Sequence, residues 1–207
     1  MKKNKVFSTR VIAEIAIFSA IAFALDFLQG GIFRGLFPNG GSIGFAMLPI
    51  ILISYRRGFL PGLLCGFVVS FLQMLGGFYA VADAWYMVLL QILLDYVLTY
   101  PMVSFCGLLS KKYKQAEQIK NKVILLVIGC SISGVLKLLC HYLAGVIFWS
   151  SSCPEGFLGG PLVFSLVYNS GYMLPNIIIN SLVMILICIK QPGFIVPKDN
   201  LEVKENN

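Results

Sequence analysis

An all-α integral membrane protein with six transmembrane helices is the fold class that this sequence predicts. Three observations point to it. Of the 207 residues, 58% are apolar and 12% are charged, about half the roughly 25% charged residues of soluble domains. The mean hydropathy is +0.85, too high for a soluble surface and the opposite of a disordered composition. The apolar residues fall in runs separated by short glycine-rich or basic loops. At about 20 residues per crossing, the chain can supply about six spans.

The elements follow in order. The first span runs from about Arg10 to Leu28, behind Lys2, Lys3, Lys5 and Arg10. Its start resembles a signal peptide, with Ala22 and Ala24 as a cleavage pair, but Glu14 inside the apolar run argues for a retained helix. Residues 29–42 form a glycine-rich loop. A second run, about 43–55, ends at Arg56, Arg57 and Gly58; it is too short to cross unless it tilts or takes in part of that loop. A third runs from Phe59 to Leu75 and a fourth from Ala84 to Ser110. A basic loop, Lys111 to Lys122, precedes the fifth, Val123 to Ser150. The sixth runs from Pro161 to Ile189. The expected organisation is an N-terminal segment over 1–9, a helical domain over 10–190 and a polar, disordered tail over 191–207.

The net charge of +7 marks topology, not nucleic acid, because the basic residues flank apolar runs. With the N-terminus inside, four lie before the first span, two at Arg56 and Arg57, five between 111 and 122, and three after the sixth. Only Arg34 lies on the other side, and Lys137 lies within a span. Both termini are therefore expected in the cytoplasm. The six cysteines form no C-x-x-C pair and read as packing residues.

Ionisable residues inside spans are functional candidates, since lipid solvates charge poorly. Glu14 and Asp26 lie near the ends of the first helix, where they can reach the interface. Asp95 lies about 16 Å below the outer end of the fourth helix, with Gln91 and Thr99 one turn either side. On the fifth helix Lys137, His141, Gly145 and Trp149 recur every four residues and share a face. On the sixth, Asn169, Tyr172, Asn176 and Asn180 do nearly the same. His141 and Asn169 lie about 14 and about 12 Å from their outer ends. An acid, an imidazole, a carboxamide and aromatics can thus converge in an outward-facing pocket suited to a cationic, partly aromatic ligand. The alternative is a structural network in which Asp95 pairs with Lys137. Neither an H-E-x-x-H metal pair nor a phosphate loop occurs.

The stretches GGSIGFAMLPIILISYRRG (Gly40 to Gly58), LLDY (Leu93 to Tyr96), LKLLCHYLAGVIFW (Leu136 to Trp149) and FSLVYN (Phe164 to Asn169) resemble the thiamine-specific S components of energy-coupling factor (ECF) transporters, the ThiT/YuaJ family. The resemblance covers about residues 8–190. It implies a six-helix S-component fold in the bacterial plasma membrane. It implies a site for thiamine, no cofactor and no enzymatic activity. The residues it assigns to the ligand are Asp95, Tyr96, Lys137, His141, Gly145, Trp149, Phe164 and Asn169. Phe164 stands where relatives usually carry Tyr. Gly40 and Gly44 stand where some relatives carry Trp and Glu, so Phe37 is a candidate replacement for an aromatic lid.

Partners follow from the same resemblance. Ala16, Ala20 and Ala24 recur every four residues along one face of the first helix, a spacing that permits close helix approach in lipid. Either this face packs into its own bundle or, as the resemblance implies, it docks on a membrane-embedded coupling subunit driven by two cytoplasmic ATPases. Competing readings are an S component for another vitamin or a thiamine precursor, and a self-sufficient secondary transporter. No internal repeat or pair of broken helices supports the last.

Overall fold

The computed structural model describes residues 7–33 and 35–197. Lys2, Lys3, Lys5, Arg34 and residues 198–207 therefore lie outside the described residues, as do the expectations attached to them. The regular elements of the described residues are all helices: α1 (Thr9–Phe33), α2 (Met47–Arg57), α3 (Phe59–Leu75), α4 (Trp85–Gln115), α5 (Ile119–Phe148) and α6 (Gly160–Lys190). Four of these, α1, α4, α5 and α6, are long and apolar enough to cross a bilayer. The first helix continues through Gly30 and Gly31, so the glycine-rich loop begins later than its composition suggests.

The second helix solves its shortness by burial. Eleven residues rise only about 16 Å, yet Ile50, Ile51, Ile53 and Tyr55 have no exposed surface at all. It is a core element wrapped by the other helices. The rest of that span is irregular backbone between Asn39 and Ala46. Such backbone survives at membrane depth only where protein satisfies its polar groups. Here α6 does so: Gly44 N donates to Asn176 Oδ1 at 2.7 Å, Asn176 Nδ2 donates to Ser42 O at 2.8 Å, and Asn180 Nδ2 donates to Gly44 O at 3.1 Å.

The fourth helix is the irregular one. A π-helical turn covers Leu93–Val97 and a 3-10 stretch covers Ser104–Leu109. Pro101 has no N–H, so it cannot serve the carbonyl of Val97 four residues earlier. Ser70 on α3 supplies the missing donor, Oγ to Val97 O at 3.2 Å. Glycine lets the same two helices meet closely. A Cβ on Gly66 would lie 2.7 Å from the Pro101 backbone.

One end of the bundle is tied by ions. Glu14 accepts from Arg57 Nε at 2.6 Å and Arg56 Nη2 at 3.1 Å. Arg56 Nη1 also holds the carbonyls of Gly193 and Phe194, at 3.0 and 2.8 Å. Glu14 is therefore a structural acid. The tail does not become irregular directly after α6, because Pro192–Phe194 forms a 3-10 turn and Ile195 is fully buried. Five of the cysteines are buried and all six are free thiols, as packing residues are expected to be.

Candidate functional site

Asp95, Tyr96, His141, Gly145, Trp149, Phe164 and Asn169 line one cavity of about 160 Å³ toward the opposite end of the bundle. These are seven of the eight sequence candidates for the ligand, drawn from α4, α5 and α6. The arrangement begins with the π turn. Its extra residue per turn redirects Asp95 and Tyr96 relative to the rest of α4, a distortion that recurs at functional sites. The i→i+5 bond from Leu98 N to Leu93 O measures 2.9 Å.

Asp95 is held on two sides. Trp149 Nε1 donates to its Oδ2 at 3.1 Å, and His141 Nδ1 lies 3.8 Å from its Oδ1. Gln91 Nε2 reaches Oδ2 at 3.5 Å. The alternative pairing of Asp95 with Lys137 does not form. The Lys137 ammonium instead sits 3.6 Å above the Tyr100 ring, a cation–π contact favoured where water is scarce. Lys137 borders a smaller adjoining cavity of about 80 Å³ shared with Asp26, Gln73, His141 and Tyr172.

Asp26 does not act as an interfacial acid. Tyr100 donates its hydroxyl to Asp26 Oδ1, and Gln73 Nε2 donates to Oδ2 at 3.0 Å. Its helix continues seven residues further, to Phe33, which places this carboxylate inside the bundle. The polar stripe on α4 also divides. Gln91 serves loop backbone through Val81 N and Tyr79 O, and Thr99 Oγ1 donates to Tyr96 O. Only Asp95 of the three faces the cavity.

The sixth helix splits in the same way. Asn169 Nδ2 donates to Ser165 O at 2.8 Å, and Tyr172 Oη donates to Asn169 Oδ1 at 2.5 Å. Both residues line the cavity, whereas Asn176 and Asn180 secure the loop between α1 and α2 (loop 1). Gly145 is where α5 meets α6: a Cβ there would lie 2.2 Å from Ser165 Oγ. Aromatic rings enclose the space. Tyr79 stacks on Trp149 with centroids 5.7 Å apart, and Phe164 lies 5.9 Å from Tyr168.

The glycine-rich loop forms the remaining wall through Asn39, Gly40 and Gly41. Tyr168 Oη accepts from Asn39 N and donates to Gly40 O, both at 3.0 Å. Gly41 has φ +106°, and a Cβ there would fall 2.5 Å from the Tyr172 ring. Phe37 packs edge-on against Tyr168 and Tyr172. Gln73, Asn39, Gly41 and Ser165 also line the cavity and are not among the sequence candidates. Gln73 and Asn39 are isolated polar positions that tertiary contact alone brings here, whereas Ser165 stands one helical turn before Asn169 and Gly41 lies in the glycine-rich stretch, so both were within reach of the spacing.

A helical bundle spanning a membrane, with an acid, an imidazole and aromatics around an interior cavity, defines a multi-pass membrane protein built to receive a small polar ligand. The profile of the thiamine transporter protein family (Thia_YuaJ) matches residues 12–196. The thiamine transporter ThiT of Bacillus subtilis is 32% identical over 183 residues, covering 86% of this chain and 90% of that protein. ThiT of Lacticaseibacillus paracasei is 26% identical over 194 residues, covering 91% and 92%. The solved structure of ThiT from Listeria monocytogenes superposes with a TM-score of 0.74 at 26% identity, covering 91% of this chain and 98% of that one. The chain belongs to the Thia_YuaJ family of thiamine transporters, multi-pass proteins of the bacterial plasma membrane.

Proposed function

We propose that this protein is the thiamine-capturing S component of an ECF-type importer. The observation that carries the reading is Asp95, held by Trp149 and His141 on the wall of an aromatic-rich cavity. Thiamine combines a fixed positive charge on its thiazolium with a flat aminopyrimidine. A carboxylate complements the first, and ring faces complement the second. Asp95 supplies the counter-charge, Trp149 and Tyr96 the π surfaces, and Asn169 and His141 the polar edges. Gly145 leaves room beside them, Phe164 closes a side, and Lys137 tunes the field from the adjoining cavity. The site opens to the outside, with both termini in the cytoplasm. No residue of this chain performs catalysis, and the energy comes from two partner ATPases.

Docking on the coupling subunit uses Ala16, Ala20 and Ala24. All three are exposed on the outer face of α1, while Val11, Ile15, Ser19 and Ala22 face the bundle. That placement disfavours packing of the alanine face within the protein itself and supports close approach by another helix. The test is to purify the protein from cells, identify the co-purifying small molecule by mass spectrometry, and titrate the emptied protein with thiamine by calorimetry. Recovery of thiamine is the expected result. Recovery of a different pyrimidine or another vitamin, with no heat on adding thiamine, would overturn the ligand assignment.

A further inference from the structure

Away from the cavity, the bundle leaves a groove of about 540 Å³ between α1 and α6, with α2 as its floor. It exists because α2 is short and buried, so the two long helices beside it stand apart. Phe18, Ile21 and Leu25 form one wall, Leu52 the floor, and Leu186 the other wall. Lys190 and Phe194 stand at the mouth. This is not the alanine face. The groove residues of α1 lie about 130° around the helix from the centre of Ala16, Ala20 and Ala24.

The mouth is built rather than incidental. Arg56 grips the carbonyls of Gly193 and Phe194, which folds the chain back after α6 and sets Phe194 beside Lys190. Glu14 lies one turn below Phe18 and is tied to Arg10, Arg56 and Arg57. The mouth thus gathers Arg10, Arg56, Arg57 and Lys190 about the carboxylate of Glu14, with Lys114 bonded to the Arg56 carbonyl behind them. The three arginines contribute field through their engaged positions, and Lys190, an exposed residue, lines the rim. An apolar trough that ends in net positive charge at the membrane surface complements one molecule in both its parts: an acyl chain below and an anionic headgroup above.

We infer that this groove is a binding site for a single anionic phospholipid, its acyl chain lying over Leu52 between α1 and α6 and its phosphate meeting Lys190. The inference is independent of the thiamine reading. The test is native mass spectrometry of the detergent-purified protein titrated with phosphatidylglycerol or phosphatidylcholine. One phosphatidylglycerol is expected to be retained at about tenfold lower concentration than phosphatidylcholine, as one or two surface cations provide. Lys190→Glu should abolish the preference, and Leu186→Trp, which narrows the groove at its exposed wall, should weaken retention of both lipids. Leu174→Trp, exposed elsewhere on the same helix, should change neither, and circular dichroism melts confirm that each variant is folded. Equal retention of the two lipids by the unaltered protein would overturn the proposal. So would unchanged retention in Lys190→Glu and Leu186→Trp, and if those variants instead lose co-purification with a second membrane protein, the groove is a protein-docking surface.

Discussion

Asp95 is surrounded by hydrogen-bonding partners from two helices. Trp149 and Gln91 donate to one carboxylate oxygen, and His141 stands beside the other. Removing one partner of a buried charge pair costs about 2–5 kcal/mol. Asp95→Ala is therefore expected to weaken thiamine binding by roughly 30-fold to several thousand-fold in calorimetry, and Asp95→Glu by less, since charge is kept. Unchanged affinity in a folded Asp95→Ala protein would reduce Asp95 to a structural role. The two tryptophans give a second reading. Trp85 is 75% exposed, whereas Trp149 bonds Asp95 at the cavity. Thiamine should quench the intrinsic fluorescence, and Trp149→Phe should remove most of that quenching while Trp85→Phe leaves it. The reverse pattern would move the ligand out of this cavity.

At the scale of elements, α4 departs furthest from regular geometry. The π turn over Leu93–Val97 and the proline at 101 both loosen its ladder, and α3 repairs it through Ser70. That repair requires the helices to touch, which Gly66 permits. Adding a Cβ at Gly66 forces it against Pro101 backbone rather than a movable side chain. Gly66→Ala is expected to cost about 1–3 kcal/mol and to lower the melting temperature in detergent by several degrees. Gly30→Ala is the control, because nothing lies within 4 Å of its added Cβ and alanine favours the helix. Equal melting of the two variants would show that α3 and α4 do not depend on this approach. Loop 1 follows the same logic: it lies at depth because Asn176, Asn180 and Tyr168 satisfy its backbone.

For the whole molecule, the faces of α1 divide the labour. The inner face carries Asp26 into the polar network under the cavity, and the outer face exposes the alanines. Ala20→Trp is expected to leave thiamine binding by the purified protein near normal. It should abolish ATP-dependent uptake and co-purification with the coupling subunit, because close helix packing tolerates only small residues. Loss of binding as well would place Ala20 in the protein's own core, and surviving uptake would place docking elsewhere.

The number and order of the helices and the convergence of Asp95, His141 and Asn169 were legible in the sequence, because apolar runs and helical spacing set them locally. Lys137, His141, Gly145 and Trp149 could be placed on one face by arithmetic alone, and all four turn inward. What spacing could not decide was which partner each polar group would choose. Asp95 took Trp149 and His141 over Lys137; Asn176 and Asn180 took loop backbone over the cavity; Asp26 took Tyr100 and Gln73 over the interface. In lipid every buried polar group must find a partner within the protein, and several lay within reach. The sequence by itself determined the membrane fold and seven of the residues that share the cavity. Only the tertiary structure decided the pairing, because pairing depends on distances between helices that no single helix encodes.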